Sequence, residues 1–320
     1  MNRTYLSLFF VLMLQFASAQ IEPNIYRQAD KAKMNAWVDS VYSSLTEDQR
    51  IGQLFMVIAE TATSTANKNL INRYIQEQKI GGILFSKGTI ADQATMTNYA
   101  QKASKTPLFI ALDGEWGLNM RLTDAPKFPR NMILGSIKND SLIYLYGKEV
   151  ARQSKELGIH INFAPVLDVN SNSENPVIGD RSFGEKPENV AIKGVAYARG
   201  LEDGGVMAVA KHFPGHGDTA EDSHKTLPTI AHDKDRLDEV ELFPFASFIN
   251  AGLSGMMIGH LNIPSLQTKG QPSTLTASIG KDLLKEEMGF SGLTFTDGMA
   301  MRGVSNQPSM SVKAILAGND

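Results

Sequence analysis

Short, largely apolar runs recur along this chain, and each is followed by a stretch with helical spacing. The runs cover residues 54–59, 82–85, 108–112, 159–166, 206–210, 255–258 and 293–295. Helical periodicity fills residues 67–78, 91–103, 141–157, 189–201, 235–251, 278–288 and 309–317, with Pro244 placed to kink or divide its helix. A half-exposed strand alternates apolar and polar residues. A strand apolar at every position is buried on both faces, which calls for a parallel sheet sheathed in helices. About seven strand–helix alternations favour a (β/α)8 TIM-type barrel over a doubly wound sheet, whose first strand would more often open a Gly-x-Gly-x-x-Gly loop. Gly215 and Gly217 lack the third glycine. Seven strands leave such a barrel one short, and unpaired sheet edges are costly. The expectation is therefore a fragment of a longer chain, with the last strand and a further C-terminal domain beyond residue 320.

The N-terminus stands apart from this rhythm. Arg3, an apolar run over residues 6–14 and Ala17-Ser18-Ala19 have the layout of a secretory signal peptide spanning residues 1–19. Residues 20–45 read as a leader, extended to about residue 30, and then a helix marked by Met34, Trp37, Val38, Val41 and Leu45. Thr46-Glu47-Asp48-Gln49 resembles a capping box and opens the barrel domain, residues 46–320. The mature chain is expected in the periplasm or secreted, with no membrane span after cleavage. A net charge of −3 offers no footprint for nucleic acid. The absence of cysteine removes disulfides, thiolate catalysis and cysteine metal sites.

Ionisable residues collect where the apolar runs end: Asp113, Asp168, Lys211-His212, His260 and Asp297. In a barrel of this kind the C-terminal strand ends share one rim, and catalytic groups sit there. The densest segment is 211–224, which holds His212, His216 and His224 among six histidines in the whole chain, with Lys211, Asp218, Glu221 and Asp222. It reads as a glycine-broken loop that begins at Lys211. Arg121 and Arg181 add clamps for a polar substrate or, equally, structural ion pairs. Two chemistries suit the set. Histidines and aspartates can ligate a metal for hydrolysis, but His-Glu-x-x-His is absent and Pro214 breaks any helical face between His212 and His216. Alternatively Asp297 acts as nucleophile, and Asp222, two residues from His224, orients that imidazole as an acid/base near neutral pH.

Lys211-His212-Phe213-Pro214-Gly215-His216-Gly217 followed by Asp222-Ser223-His224 resembles the signature of the β-N-acetylhexosaminidase branch of family 3 glycoside hydrolases. Residues 51–55, 162–168, 175–184 and Thr296-Asp297-Gly298-Met299 carry the same likeness, which runs from about residue 45 to the end. The resemblance implies a cofactor-free, retaining exo-hydrolase that removes terminal β-linked N-acetylglucosamine, often from peptidoglycan fragments. It implies Asp297 as nucleophile and His224, oriented by Asp222, as acid and then base. It places Asp113, Arg121, Arg181, Lys211 and His212 around the sugar hydroxyls and ring substituents. Asp168 reads equally as an anchor, His260 as packing or pocket lining, and His216 and Asp218 as shaping the loop. One departure is Trp116-Gly117, where the family often has two glycines; Trp116 there is able to stack on a sugar face. A family 3 β-glucosidase or β-xylosidase lacks the Asp-x-His pair. A metal-dependent barrel hydrolase and a non-catalytic sugar-binding module are the other readings.

Overall fold

The computed structural model describes residues 21–222 and 226–320; the signal peptide expected over residues 1–19 and His224 lie outside the described residues. Seven parallel strands follow one another in chain order: β1 (Met56–Ala59), β2 (Gly82–Phe85), β3 (Phe109–Leu112), β4 (Ile161–Asn162), β5 (Met207–Phe213), β6 (Gly255–Ile258) and β7 (Leu293–Thr296). Every neighbouring pair is parallel, with Gly82 opposite Phe109 and Met257 opposite Phe295 among the register partners. Helices return the chain between strands, and the sheet curls into an open barrel whose edges, among the described residues, are β1 and β7.

The apolar runs divide by parity. Ala111, Ile161, Phe163, Met207, Val209 and Met257 form an inner cluster, joined by Met56, Leu84, Leu293 and Phe295. Ile83, Phe85, Ile110, Leu112, Ala208, Ala210, Met256 and Ile258 pack outward in the larger core under the helices. Successive strand residues point to opposite faces, so a strand with cores on both sides favours an apolar residue at every position. The pairing expected from continuous apolarity is what the structure contains.

The differences from expectation have local causes. The run over 159–166 yields only the two-residue β4, because Pro165 has no N–H to give a ladder. Pro244 divides the stretch 235–251 into Lys234–Glu239 and Phe243–Asn250, and sits in the first turn of the second helix, where its missing N–H costs nothing. The leader is not extended. Asn24–Arg27 is a short helix tucked beneath the barrel: the Asn24 amide donates to the Gly252 carbonyl at 2.7 Å, and Ile25 packs on the inner cluster. The helix Lys31–Ser44 forms as its spacing predicts, capped by Asp30, but it buries none of its residues. No helix among the described residues is long and apolar enough to cross a membrane.

Candidate active site

Parity carries the inner face past the strand ends. Continuing from Ala111 in β3 the next inward position is Asp113, from Val209 in β5 it is Lys211, and from Phe295 in β7 it is Asp297; all three line one cavity of about 680 Å³. Glu115, Arg121, Arg181, His212 and His216 stand on the same wall, and Met56, Leu84, Phe163, Met257 and Phe295 lie among its apolar lining. The strand ends at Asp113, Lys211-His212 and Asp297 therefore converge, as the sequence led one to expect. Their placement differs in one respect: Lys211 and His212 do not open a loop but belong to β5, which runs on to Phe213. A register shift against β6 between Ala210 and Phe213 turns consecutive residues Lys211 and His212 toward the same cavity.

An ionic cluster joins the ends of β3 and β5. Lys211 Nζ lies 2.9 Å from Asp113 Oδ1 and 2.8 Å from Glu115 Oε1. Arg181 grips Glu115 with Nε and Nη2, at 2.9 and 2.8 Å, and Arg121 Nη2 holds Asp113 Oδ2 at 2.7 Å. Glu115 is fully buried and Lys211 nearly so. Burial works against the charge on Glu115, but Lys211 and Arg181 outweigh it and hold the carboxyl far below its ordinary value of 4.5. Asp113 is held low against burial by Lys211 and Arg121. Lys211 is raised, its two carboxylates overcoming burial. Three cations against two carboxylates leave the cluster with a surplus positive charge on the cavity wall, suited to oxygen-rich ligands.

A second cluster is built on Asp168, which is fully buried. Its Oδ2 meets His212 Nδ1 at 2.7 Å, and its carboxylate accepts the backbone amides of His212 and, at 2.7 Å, His216. Burial opposes ionisation of Asp168, and His212 and His216 pull it lower on balance. Asp168 is thus an anchor, one of the two readings its position allowed. It fixes Nδ1 of His212, a residue of the cavity wall. His216 is pushed down by burial; its Nδ1 meets Thr219 Oγ1 at 3.2 Å, while its buried Nε2 has no partner among the described residues.

Asp297 follows β7, its amide donating to the Ile258 carbonyl at 3.0 Å and its Oδ1 accepting the Gly298 amide at 2.7 Å. Burial would raise its carboxyl, but His212, His260, the Gly298 amide and Lys211 together hold it below its ordinary value of 3.8, so it is a carboxylate at neutral pH. His260 is off the cavity wall: its Nδ1 meets Thr274 Oγ1 at 2.7 Å and its Nε2 the Gly298 carbonyl at 3.1 Å, so it braces the turn that carries Asp297. Asp222 lies beyond Thr219 on the loop after β5, outside the described cavity wall, with its carbonyl accepting the Thr226 amide at 3.0 Å.

Two wall residues were given no part in the chemistry by the sequence. His216, assigned to loop shape, presents an unpaired nitrogen, and Glu115 is the hinge of the ionic cluster. The available signal for Glu115 was its phase: it is two residues beyond Asp113, on the inward parity.

Residues 46–320 match the family model described as Glycosyl hydrolase family 3 N terminal domain. The chain belongs to glycoside hydrolase family 3. Among family 3 relatives, β-hexosaminidase A of Pseudoalteromonas piscicida is 39% identical over 261 residues, which are 74% of this chain and 43% of that protein. A β-N-acetylglucosaminidase/β-glucosidase of Cellulomonas fimi is 27% identical, over 85% of this chain and 49% of its own length. The solved family 3 β-N-acetylglucosaminidase of Paenibacillus sp. superposes with a TM-score of 0.79 at 36% identity, covering 86% of this chain and 54% of that one. The chain thus spans about half the length of these relatives.

Proposed function

We propose that this family 3 barrel carries the active site of a retaining exo-β-N-acetylglucosaminidase acting on terminal β-linked N-acetylglucosamine, with peptidoglycan-derived fragments as the natural source and the periplasm or the exterior as its place of work. The observation that carries the reading is the shared cavity: the carboxylate of Asp297 stands on one wall with the cluster of Asp113, Arg121, Arg181, Lys211 and His212. The names of the relatives support the sugar, and the signal-like N-terminus supports the compartment.

In this reading the non-reducing sugar sits with its hydroxyls against the cluster. A carboxylate oxygen of Asp297 bonds to the anomeric carbon as the glycosidic bond breaks, while His224, steered by Asp222, gives its proton to the departing oxygen. His224 then takes a proton from water, whose oxygen bonds to the same carbon and frees Asp297. Low proton affinity at Asp297 keeps the nucleophile ionised, and burial strengthens its interaction with charge developing on the sugar.

The test is an assay on chromogenic β-N-acetylglucosaminide beside the β-glucoside. Hydrolysis of the first, its loss in Asp297→Ala, and a smaller loss in His224→Ala on substrates with an acidic leaving group are expected. Preferential cleavage of the glucoside would reassign the sugar to the second activity named for the Cellulomonas relative. Full activity in Asp297→Ala would end the mechanism.

A further inference from the structure

The wall of the cavity is of two kinds. It is charged and closed to solvent at Glu115, Lys211 and His212. Elsewhere it is half open, at Trp116, with Met120, Val177, Met299 and Met301 in the same lining. Trp116 is set by a tight turn. The Gly117 amide donates to the Gly114 carbonyl at 3.1 Å, so Glu115 and Trp116 occupy the two central positions. The first of them points into the ionic cluster. Gly117 has φ +86°, and a Cβ there would lie 2.7 Å from the Phe128 ring, so glycine is needed both for the backbone and for the packing that fixes the turn. The Arg130 guanidinium lies 4.5 Å from the centroid of the Trp116 ring and is itself paired with Asp180 at 2.8 Å. Trp116 lines the cavity and Arg130 does not, so the guanidinium backs the ring from outside the cavity wall.

We propose that Trp116, backed by Arg130, is the platform of an aglycone subsite that takes a second pyranose ring. The inference rests on the exo-glycosidase reading above, in which the terminal sugar lies against the charged wall beside Asp297. Its anomeric substituent then leaves from the closed part of the wall toward the more open part, to which the half-buried indole belongs. A flat, rigid apolar face stacks on the C–H face of a pyranose, whereas a small alkyl aglycone offers it little area. Trp116 thus sets a preference for oligosaccharides and leaves the terminal sugar to the charged cluster.

The chain contains two tryptophans, Trp37 and Trp116, and Trp37 is exposed on the helix Lys31–Ser44. In a Trp37→Phe, Asp297→Asn double variant the remaining fluorescence comes from Trp116 and turnover is blocked. Titration with N,N′-diacetylchitobiose is expected to shift and quench that emission, and N-acetylglucosamine alone to leave it unchanged. An equal response to the monosaccharide would place Trp116 in the terminal-sugar site, and no response to either would remove it from binding; both overturn the proposal. In the otherwise native chain, Trp116→Ala should lower kcat/KM on the disaccharide about tenfold relative to methyl β-N-acetylglucosaminide, with Trp116→Phe recovering most of it. Equal losses on both substrates would again overturn it. Binding of the disaccharide without turnover of either glycoside by the native chain would instead sink the glycosidase reading and leave the platform standing.

Discussion

Replacing Glu115 by glutamine removes one negative charge from the centre of the ionic cluster and almost nothing from its shape. Arg181 then loses its only carboxylate in the cluster, and Lys211 keeps Asp113 alone. Both cations are held in the wall, with side chains only 18% and 4% exposed. Removing one partner of a buried ion pair costs about 3–5 kcal/mol, chiefly because the other charge is left uncompensated. For a domain of this size that lowers Tm by on the order of 10 °C. The control is Glu149→Gln, which breaks an exposed pair with Arg152 and should cost about 0–1 kcal/mol after solvent screening.

The pH dependence gives a second handle on the same group. The folded-state affinity of Glu115 for a proton is depressed, so its contribution is complete above the ordinary glutamate value of 4.5. It declines only as the pH falls below that value. Thermal unfolding of both proteins from pH 7 down to pH 3 should therefore show a gap that holds down to about pH 4.5 and narrows below it. A Glu115→Gln loss no larger than that of Glu149→Gln, or a gap that widens on acidification, would refute the argument that burial makes this pair indispensable.

Asp168→Asn keeps the size of the anchor but weakens its grip on His212 Nδ1 and on two backbone amides; kcat/KM should fall roughly 10–100-fold, with the acid limb of its pH profile displaced, and an unchanged profile would reduce Asp168 to a packing role. Glu202, buried beneath the barrel with its Oε1 accepting the Ser254 amide at 2.8 Å, is pushed by burial up to about 7. A carboxyl raised above its unfolded value of 4.5 makes the fold lose stability as pH climbs from 4.5 through 7, by on the order of 3 kcal/mol in total. Glu202→Gln should flatten Tm between pH 5 and pH 8, and a slope identical to the native one would discard the assignment.

The seven strands and their parallel order could be read from the chain because parallel strands need apolar residues on both faces, and no other common element spaces such short runs so regularly. The gathering of Asp113, Lys211 and Asp297 followed from the same period, since an inward position past a strand end is still an inward position. Local sequence could not show that β5 continues through Lys211 and His212, because their charge reads as a loop; three partners far away in the chain, Asp113, Glu115 and Asp168, make it possible to bury them. Nor could it show that Glu115 turns into the cluster while Trp116 packs against Arg130, for both lie in one turn closed between Gly114 and Gly117. The periodicity of side chains is a property of each strand by itself and survives in the one-dimensional record. The neutralisation of a buried charge is a property of pairs up to 98 residues apart, and it exists only once the barrel has brought them within hydrogen-bonding distance.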